Sequence, residues 1–105
     1  MREITARLYE VVLDRREKPS LDSYVCRLLD RGEDKILQKV GEEAVETILA
    51  AKGGDEGALV HEIADLWFHL IVLLGSRGIS PDKVAGELER RFGTSGLEEK
   101  RSRGR

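Results

Sequence analysis

The sequence predicts an all-α fold, a four- to five-helix bundle completed by dimerisation. Apolar residues recur at helical spacing in several segments, and no segment alternates apolar and polar residues as a half-buried strand does. Charged residues make up 36% of the chain and aromatic residues only 5%, a composition typical of helical proteins. At 105 residues the chain forms one domain. We expect a helical domain over residues 1–92 and a basic, glycine-containing tail over 93–105.

Capping and helix-breaking residues set the predicted helix ends. Lys18-Pro19 ends the first helix and Gly32 closes the second. Ser80-Pro81 starts the last helix, with serine as the cap and proline in the first turn. The predicted helices cover about residues 1–16, 21–31, 33–52, 55–77 and 81–92.

The third predicted helix has an apolar side and an acidic side. The apolar stripe, which we expect to face the core, consists of Leu37, Val40, Ala44, Ile48 and Ala51. The opposite side carries Lys39, Glu42, Glu43 and Glu46. Taken alone, the pattern of this helix predicts that its acidic residues lie on an outer face in contact with solvent.

The fourth predicted helix is unusually apolar. Between Leu66 and Leu74 only His69 is polar, so the segment is expected to be buried on every side. Nine residues are too few to span a bilayer. One small domain cannot easily cover such a helix, which predicts a homodimer. His69 follows Asp65 by one turn, and it is either a hydrogen-bonded core histidine or a residue that orients the Asp65 carboxylate by a hydrogen bond.

Acidic pairs occur at a spacing of three on both helices that flank Gly53-Gly54. Glu46 and Glu62 lie equally far from Gly54 along the chain, and so do Glu43 and Asp65. In an antiparallel hairpin each of these pairs lies at one height. Four carboxylates that meet there need a cation or a proton between them. Hard oxygen ligands suit Mg²⁺.

The acidic pattern alone is a weak signal, and composition limits the other classes of function. With 20 acids in the chain, about one such match is expected by chance. A net charge of −2 gives no general attraction to nucleic acid or membrane. Cys26 is expected to be a small buried filler, and His61 a surface residue. There is no secretory pattern and no P-loop, so we expect a cytoplasmic protein whose phosphate chemistry, if any, uses the acids.

Three separated segments resemble the phosphoribosyl-ATP pyrophosphatase family of histidine biosynthesis. They are SYVCRLLDRGEDKILQKVGEEAVETILAAK (23–52), EIADLWFHLIVLL (62–74) and SGLEEKRSR (95–103). The wider superfamily is the all-α, MazG-like nucleotide pyrophosphohydrolases, whose shared ExxE and ExxD motifs match Glu43, Glu46, Glu62 and Asp65. One departure is Trp67-Phe68, where the family usually has leucine and tyrosine before the histidine.

The resemblance implies hydrolysis of phosphoribosyl-ATP to phosphoribosyl-AMP and pyrophosphate. It implies Mg²⁺ held by Glu43, Glu46, Glu62 and Asp65, which would bind the triphosphate and acidify a water. Glu42 and Glu46 are the candidates for the general base. Lys39 is placed to offset phosphate charge. On resemblance alone, Lys100 and Arg103 of the tail are further phosphate contacts.

Two other functions remain open on the sequence. The same fold could act on dUTP, dCTP or damaged nucleotides as a house-cleaning pyrophosphatase, although SGLEEK favours the histidine pathway. The chain could also be a non-enzymatic dimeric bundle with solvated acids. A di-iron carboxylate bundle fits less well, because it needs Glu-x-x-His on two helices.

Overall fold

The computed structural model describes residues 1–20 and 23–92, and within them every regular element is a helix. The helices are α1 (Arg2–Glu17), α2 (Tyr24–Arg31), α3 (Glu33–Gly53), α4 (Glu56–Arg77) and α5 (Pro81–Phe92). The all-α prediction is confirmed. The predicted start of the second helix at Leu21 lies outside the described residues, and so do Lys100 and Arg103.

The chain reverses at Gly54 between α3 and α4. Gly54 has φ +81°, a left-handed conformation that glycine adopts without strain, and its N–H bonds the Ala51 carbonyl at 3.3 Å. Asp55 then caps α4, because its Oδ1 accepts from the Gly57 N–H at 3.0 Å. α3 and α4 form the most extensive helix contact among the described residues. The predicted hairpin is therefore present.

The hydrophobic core lies where α1, α2, α3 and α4 meet. Its buried members are Val12, Val25, Leu28, Ile36, Ile71 and Val72. α1 approaches α4 closely at Gly75, since a Cβ there would collide with the side chain of Val12. Arg16 Nη1 also donates to the Gly75 carbonyl at 3.0 Å. This crossing holds α1 against α4.

The prediction for the buried face of α3 is wrong. Leu37 and Ile48 of the predicted core stripe are 44% and 61% exposed, whereas Glu43 on the supposed outer face is only 5% exposed. The periodicity located an apolar stripe, but it did not determine which side packs on α4. The described chain buries α3 on the side of Ile36 and Glu43, and it leaves much of the apolar stripe on the surface.

The apolar run of α4 is also only partly covered. His69, Ile71 and Val72 are buried, but Trp67 and Leu70 are 42% and 38% exposed. The single chain therefore leaves part of this segment uncovered, as expected of a helix that one small domain cannot cover, and the homodimer that would cover it stays a prediction. α1, α2 and α3 all pack on the other sides of α4.

Within the described residues, α4 is the helix long and apolar enough to cross a bilayer, with a mean hydropathy of 1.6. Length and composition do not separate such a helix from the core helix of a soluble bundle. α4 packs against α1, α2 and α3, as a core helix does.

Candidate active site

The hairpin brings three carboxylates from its two arms together. Glu43 and Glu46 come from α3 and Glu62 from α4, and one oxygen of each lies within 4.8 Å of the other two. These residues form what we call the acidic cluster. Its members meet because Gly54 reverses the chain midway between Glu46 and Glu62. The equal spacing seen in the sequence thus corresponds to an actual convergence.

Two buried oxygens in the acidic cluster have no hydrogen-bond partner among the described residues. They are Oε2 of Glu43 and Oε2 of Glu62. A buried carboxylate oxygen without a partner is costly, because it has lost its water and gained nothing in return. An orphaned pair of this kind fits a site that a cation completes.

The electrostatic surroundings of Glu62 also fit a site that a cation completes. A hydrogen bond with Glu46, together with burial and the negative charges of Glu46 and Glu43, raises the pKa of Glu62 above its usual range. Two ionised carboxylates cannot hydrogen-bond, so this contact requires either a proton or a cation.

Asp65 lies beside the acidic cluster and not within it. It forms a second group with Glu62 and His61, whose ligand atoms also lie within 4.8 Å of one another. Asp65 Oδ2 is 3.3 Å from His61 Nε2. The four predicted carboxylates are therefore arranged as two overlapping groups that share Glu62. The contact of His61 was missed in the sequence, although its spacing of four from Asp65 could have indicated it.

Lys39 lies at the edge of the acidic cluster. Its Nζ is 3.6 Å from Glu42 and 3.8 Å from Glu43, and its side chain is 25% exposed. An ammonium group in this position partly offsets the charge of Glu43 while remaining open to solvent. It can therefore meet an anionic ligand that approaches the cluster.

Glu42, one of the two candidate bases, is not a member of the acidic cluster. Gln38 Nε2 donates to its Oε1 at 2.8 Å. That hydrogen bond, followed by the nearby Lys39 and Lys35 charges, lowers the pKa of Glu42 despite partial burial. A carboxylate with a lowered pKa is a weaker base.

His69 is buried and hydrogen-bonded at both ring nitrogens. Nδ1 lies 2.7 Å from the backbone carbonyl of Asp65, and Nε2 lies 2.9 Å from the Tyr24 hydroxyl. The ring contacts the main chain of Asp65, whereas the Asp65 carboxylate contacts His61. This is the arrangement of a hydrogen-bonded core histidine. The contact with Tyr24 spans 45 residues of sequence, so no local pattern could have predicted it.

Comparison with known proteins gives the family. The sequence profile described as "Phosphoribosyl-ATP pyrophosphohydrolase" matches residues 5–92. The curated phosphoribosyl-ATP pyrophosphatase of Geotalea daltonii is 50% identical over 103 residues, covering 98% of this chain and 97% of the relative. That of Methylococcus capsulatus is 52% identical, covering 96% of each chain. That of Geobacter sulfurreducens is 54% identical, covering 96% of this chain and 94% of the relative. The chain belongs to the phosphoribosyl-ATP pyrophosphohydrolase family.

Proposed function

We propose that the protein hydrolyses phosphoribosyl-ATP between its α and β phosphates, giving phosphoribosyl-AMP and pyrophosphate, the second step of histidine biosynthesis. Family membership over nearly the whole chain supports this reaction. The observation that supports its location is the unpartnered, buried Oε2 of Glu43, which lies in the acidic cluster with Glu46 and Glu62. Phosphoryl transfer depends mainly on positioning and charge stabilisation, and this cluster suits both once it holds a cation.

The donor set fits Mg²⁺. Glu43, Glu46 and Glu62 would hold the ion directly, and Asp65 would complete the set from its position beside Glu62. Bound there, Mg²⁺ supplies positive charge for the polyphosphate and acidity for a water. Lys39 would contact a phosphate at the edge of the cluster. Lys100 and Arg103 remain predicted phosphate contacts of the tail.

Glu46 is the better of the two candidate bases. It belongs to the acidic cluster, and it is the most exposed of the three carboxylates there. Glu42 is engaged by Gln38 and Lys39. Glu46→Gln should therefore remove turnover, whereas Glu42→Gln, a matched change on the same helix, should reduce it by less than about tenfold. Equal losses in kcat would contradict this assignment.

The active unit in this proposal is a homodimer formed through the hairpin. Large apolar side chains remain exposed along both arms: Leu37, Val45, Ile48, Leu49, Val60, Ile63, Trp67 and Leu70. So many exposed large apolar side chains on one hairpin are characteristic of an interface. Ile48→Lys should give a monomer in light scattering at micromolar concentration. Val84→Lys, a similarly exposed site on α5, should leave the dimer intact.

The substrate and the metal are tested together. Pyrophosphate release should be fast with phosphoribosyl-ATP and slow with dUTP, dCTP and the other deoxynucleoside triphosphates. Mg²⁺ should raise the melting temperature of the wild type and not that of Glu43→Gln. Preference for a deoxynucleotide would support a house-cleaning enzyme. Turnover that persists in Glu43→Gln would contradict the assignment of the site.

The cytoplasmic location and the division between helical domain and tail at residue 92 stay predictions of the sequence.

A further inference from the structure

The side chain of Tyr24 connects α2 to the part of α4 that carries acidic residues. Its hydroxyl lies 2.9 Å from Nε2 of His69, and Nδ1 of His69 lies 2.7 Å from the backbone carbonyl of Asp65. The Tyr24 ring also stacks on Phe68 at 6.0 Å between centroids. The first turn of α2 is therefore separated from the Asp65 backbone by a single imidazole ring. Asp65 in turn lies beside Glu62 of the acidic cluster.

Arg27, one turn after Tyr24 on α2, lies over the Tyr24 ring. Its Cζ is 5.7 Å from the ring centroid, within the range of cation–π attraction. Arg27 is exposed, and it forms no ion pair with a carboxylate of the described residues. The guanidinium is thus held by an aromatic face, while its N–H donors stay available to a ligand.

Arg27 differs in this respect from Lys39, the cation at the edge of the acidic cluster. Nζ of Lys39 lies 3.6 Å from Glu42 and 3.8 Å from Glu43, so carboxylates partly offset its charge. The aromatic ring beneath Arg27 carries no formal negative charge. A guanidinium also binds two phosphate oxygens at once, whereas an ammonium group acts as a point charge. Arg27 is therefore suited to recognise a phosphate of its own.

Phosphoribosyl-ATP carries phosphate at two places. Its triphosphate contains the bond that is cleaved, and the second ribose, attached to the adenine, carries a phosphate monoester that takes no part in the reaction. ATP and the deoxynucleoside triphosphates lack this monoester. Contacts through Tyr24 and His69 join Arg27 to the Asp65 backbone, and none of the three contacts is longer than 5.7 Å. A nucleotide extended by a second ribose phosphate is long enough to extend from the acids to α2.

We propose that Arg27 is a specificity-determining residue: held over the Tyr24 ring, its guanidinium binds the phosphate monoester on the second ribose of phosphoribosyl-ATP. This inference rests on the proposed function, because the acidic cluster is assigned the triphosphate there. α2 then recognises the group that distinguishes this substrate from ordinary nucleoside triphosphates. The monoester is remote from the bond that breaks, so Arg27 contributes equally to binding of the ground state and the transition state.

Arg27→Gln tests the proposal because it removes the charge from an exposed position. KM for phosphoribosyl-ATP should rise about tenfold to a hundredfold, with kcat within about threefold, since a charge-assisted hydrogen bond to a remote group is lost. Arg27→Lys keeps the charge without the paired donors and should recover only part of the loss. Arg7→Gln is the control: Arg7, on α1, is also exposed and has no ion pair among the described residues. It should leave both constants unchanged.

A substrate analogue identifies the group that Arg27 binds. Ribosyl-ATP, which is phosphoribosyl-ATP without the monoester phosphate, should have a KM in the wild type that is raised about as much as Arg27→Gln raises that of the full substrate. In Arg27→Gln the two compounds should have similar KM values, because the partner of the phosphate is gone. An equal rise for both compounds would mean that Arg27 contacts a group they share, or that it only supports the fold, and would overturn the proposal.

The same measurements separate a failure of this proposal from a failure of the proposed function. If the wild type hydrolyses phosphoribosyl-ATP and Arg27→Gln has an unchanged KM, only the role of Arg27 is wrong. If the wild type prefers deoxynucleoside triphosphates to phosphoribosyl-ATP, the proposed function is wrong and the role of Arg27 with it. Circular dichroism and melting temperature should be unchanged in Arg27→Gln and Arg27→Lys.

Discussion

The two halves of α4 lie in different surroundings, although the helix is continuous. In the first half, Glu62 carries a buried oxygen with no hydrogen-bond partner among the described residues. Glu43 of α3, in the same acidic cluster, also has a buried oxygen without a partner. In the second half, Val72 is fully buried and Gly75 admits α1 to close contact. The buried, unpartnered oxygens of the first half destabilise the protein electrostatically until a ligand binds them. The second half stabilises the fold through packing. We expect substitutions in the first half to affect activity, and those in the second to affect stability.

The largest expected effect is on activity and comes from Glu43, the α3 residue that lies in the acidic cluster with Glu62 of the first half of α4. If Glu43 holds the metal ion as proposed, Glu43→Gln should lower kcat/KM by more than about a hundredfold, since loss of such a ligand should exceed the 10–100-fold typical of residues that hydrogen-bond to metal ligands. Circular dichroism should show unchanged helical content. Glu56→Gln, an exposed acid at the start of α4, should retain activity. Unfolding of Glu43→Gln would remove the distinction between the two halves.

Substitutions in the second, packed half of α4 should lower stability and leave activity nearly unchanged. Gly75→Ala places a Cβ against Val12 and should destabilise the protein by about 1–3 kcal/mol, because neither helix can move without disturbing the core. Chemical denaturation measures the loss, and kcat at low temperature should stay near that of the wild type. Gly57→Ala is the control within α4, where the new Cβ makes only ordinary contact. Similar stability of the two variants would show that the α1–α4 crossing is looser than described.

A smaller effect is expected at the start of α4. Asp55→Ala removes the acceptor for the Gly57 N–H and should cost about 1 kcal/mol of stability. Asp55→Ser keeps a capping oxygen and should recover most of it. Thermal denaturation of both variants measures the difference. If serine fails to restore the melting temperature, the contribution of Asp55 is not that of a cap.

The smallest expected effect is a change in the stability of the metal-free protein at Glu62. It is recognised by its direction, a gain of stability in the variant, and by its dependence on pH. The pKa of Glu62 is raised in the folded protein, chiefly by its hydrogen bond with Glu46. As pH rises from the ordinary carboxyl range through the raised pKa, the unfolded chain ionises first, and the metal-free protein loses stability. Glu62→Gln should remove that loss.

In EDTA, the melting temperature of Glu62→Gln should therefore exceed that of the wild type at about pH 7–8 and equal it at about pH 4 or below. Added Mg²⁺ should raise the melting temperature of the wild type and leave that of Glu62→Gln unchanged. Glu10→Gln, an exposed glutamate on α1, should show neither effect. A lower melting temperature for Glu62→Gln at neutral pH would mean that the carboxylate stabilises the metal-free fold.

The local features of the fold were predictable, because residues next to one another in sequence determine them. Ser80 caps α5 with its Oγ 3.1 Å from the Asp82 N–H, and Gly54 reverses the chain where two glycines interrupted the helical pattern. The family and the reaction followed from three sequence segments, and the comparisons confirm them. Equal distances from Gly54 also predicted that Glu46 and Glu62 meet.

Features that depend on packing between distant segments were not predictable. Helical periodicity found the apolar stripe of α3 but could not show that Glu43 is on the buried side. Nothing near Tyr24 indicates a contact with His69, and nothing near Gly75 indicates Val12. The roles of the individual acids also stay predictions, since Asp65 lies next to His61 and Glu42 next to Gln38.

The acidic cluster draws all its members from the two arms of one turn. Its assembly is therefore independent of protein concentration. Dilution that separated two subunits would leave Glu43, Glu46 and Glu62 as close as before. A monomeric variant should still capture a divalent ion, so ion binding and self-association can be titrated as separate equilibria.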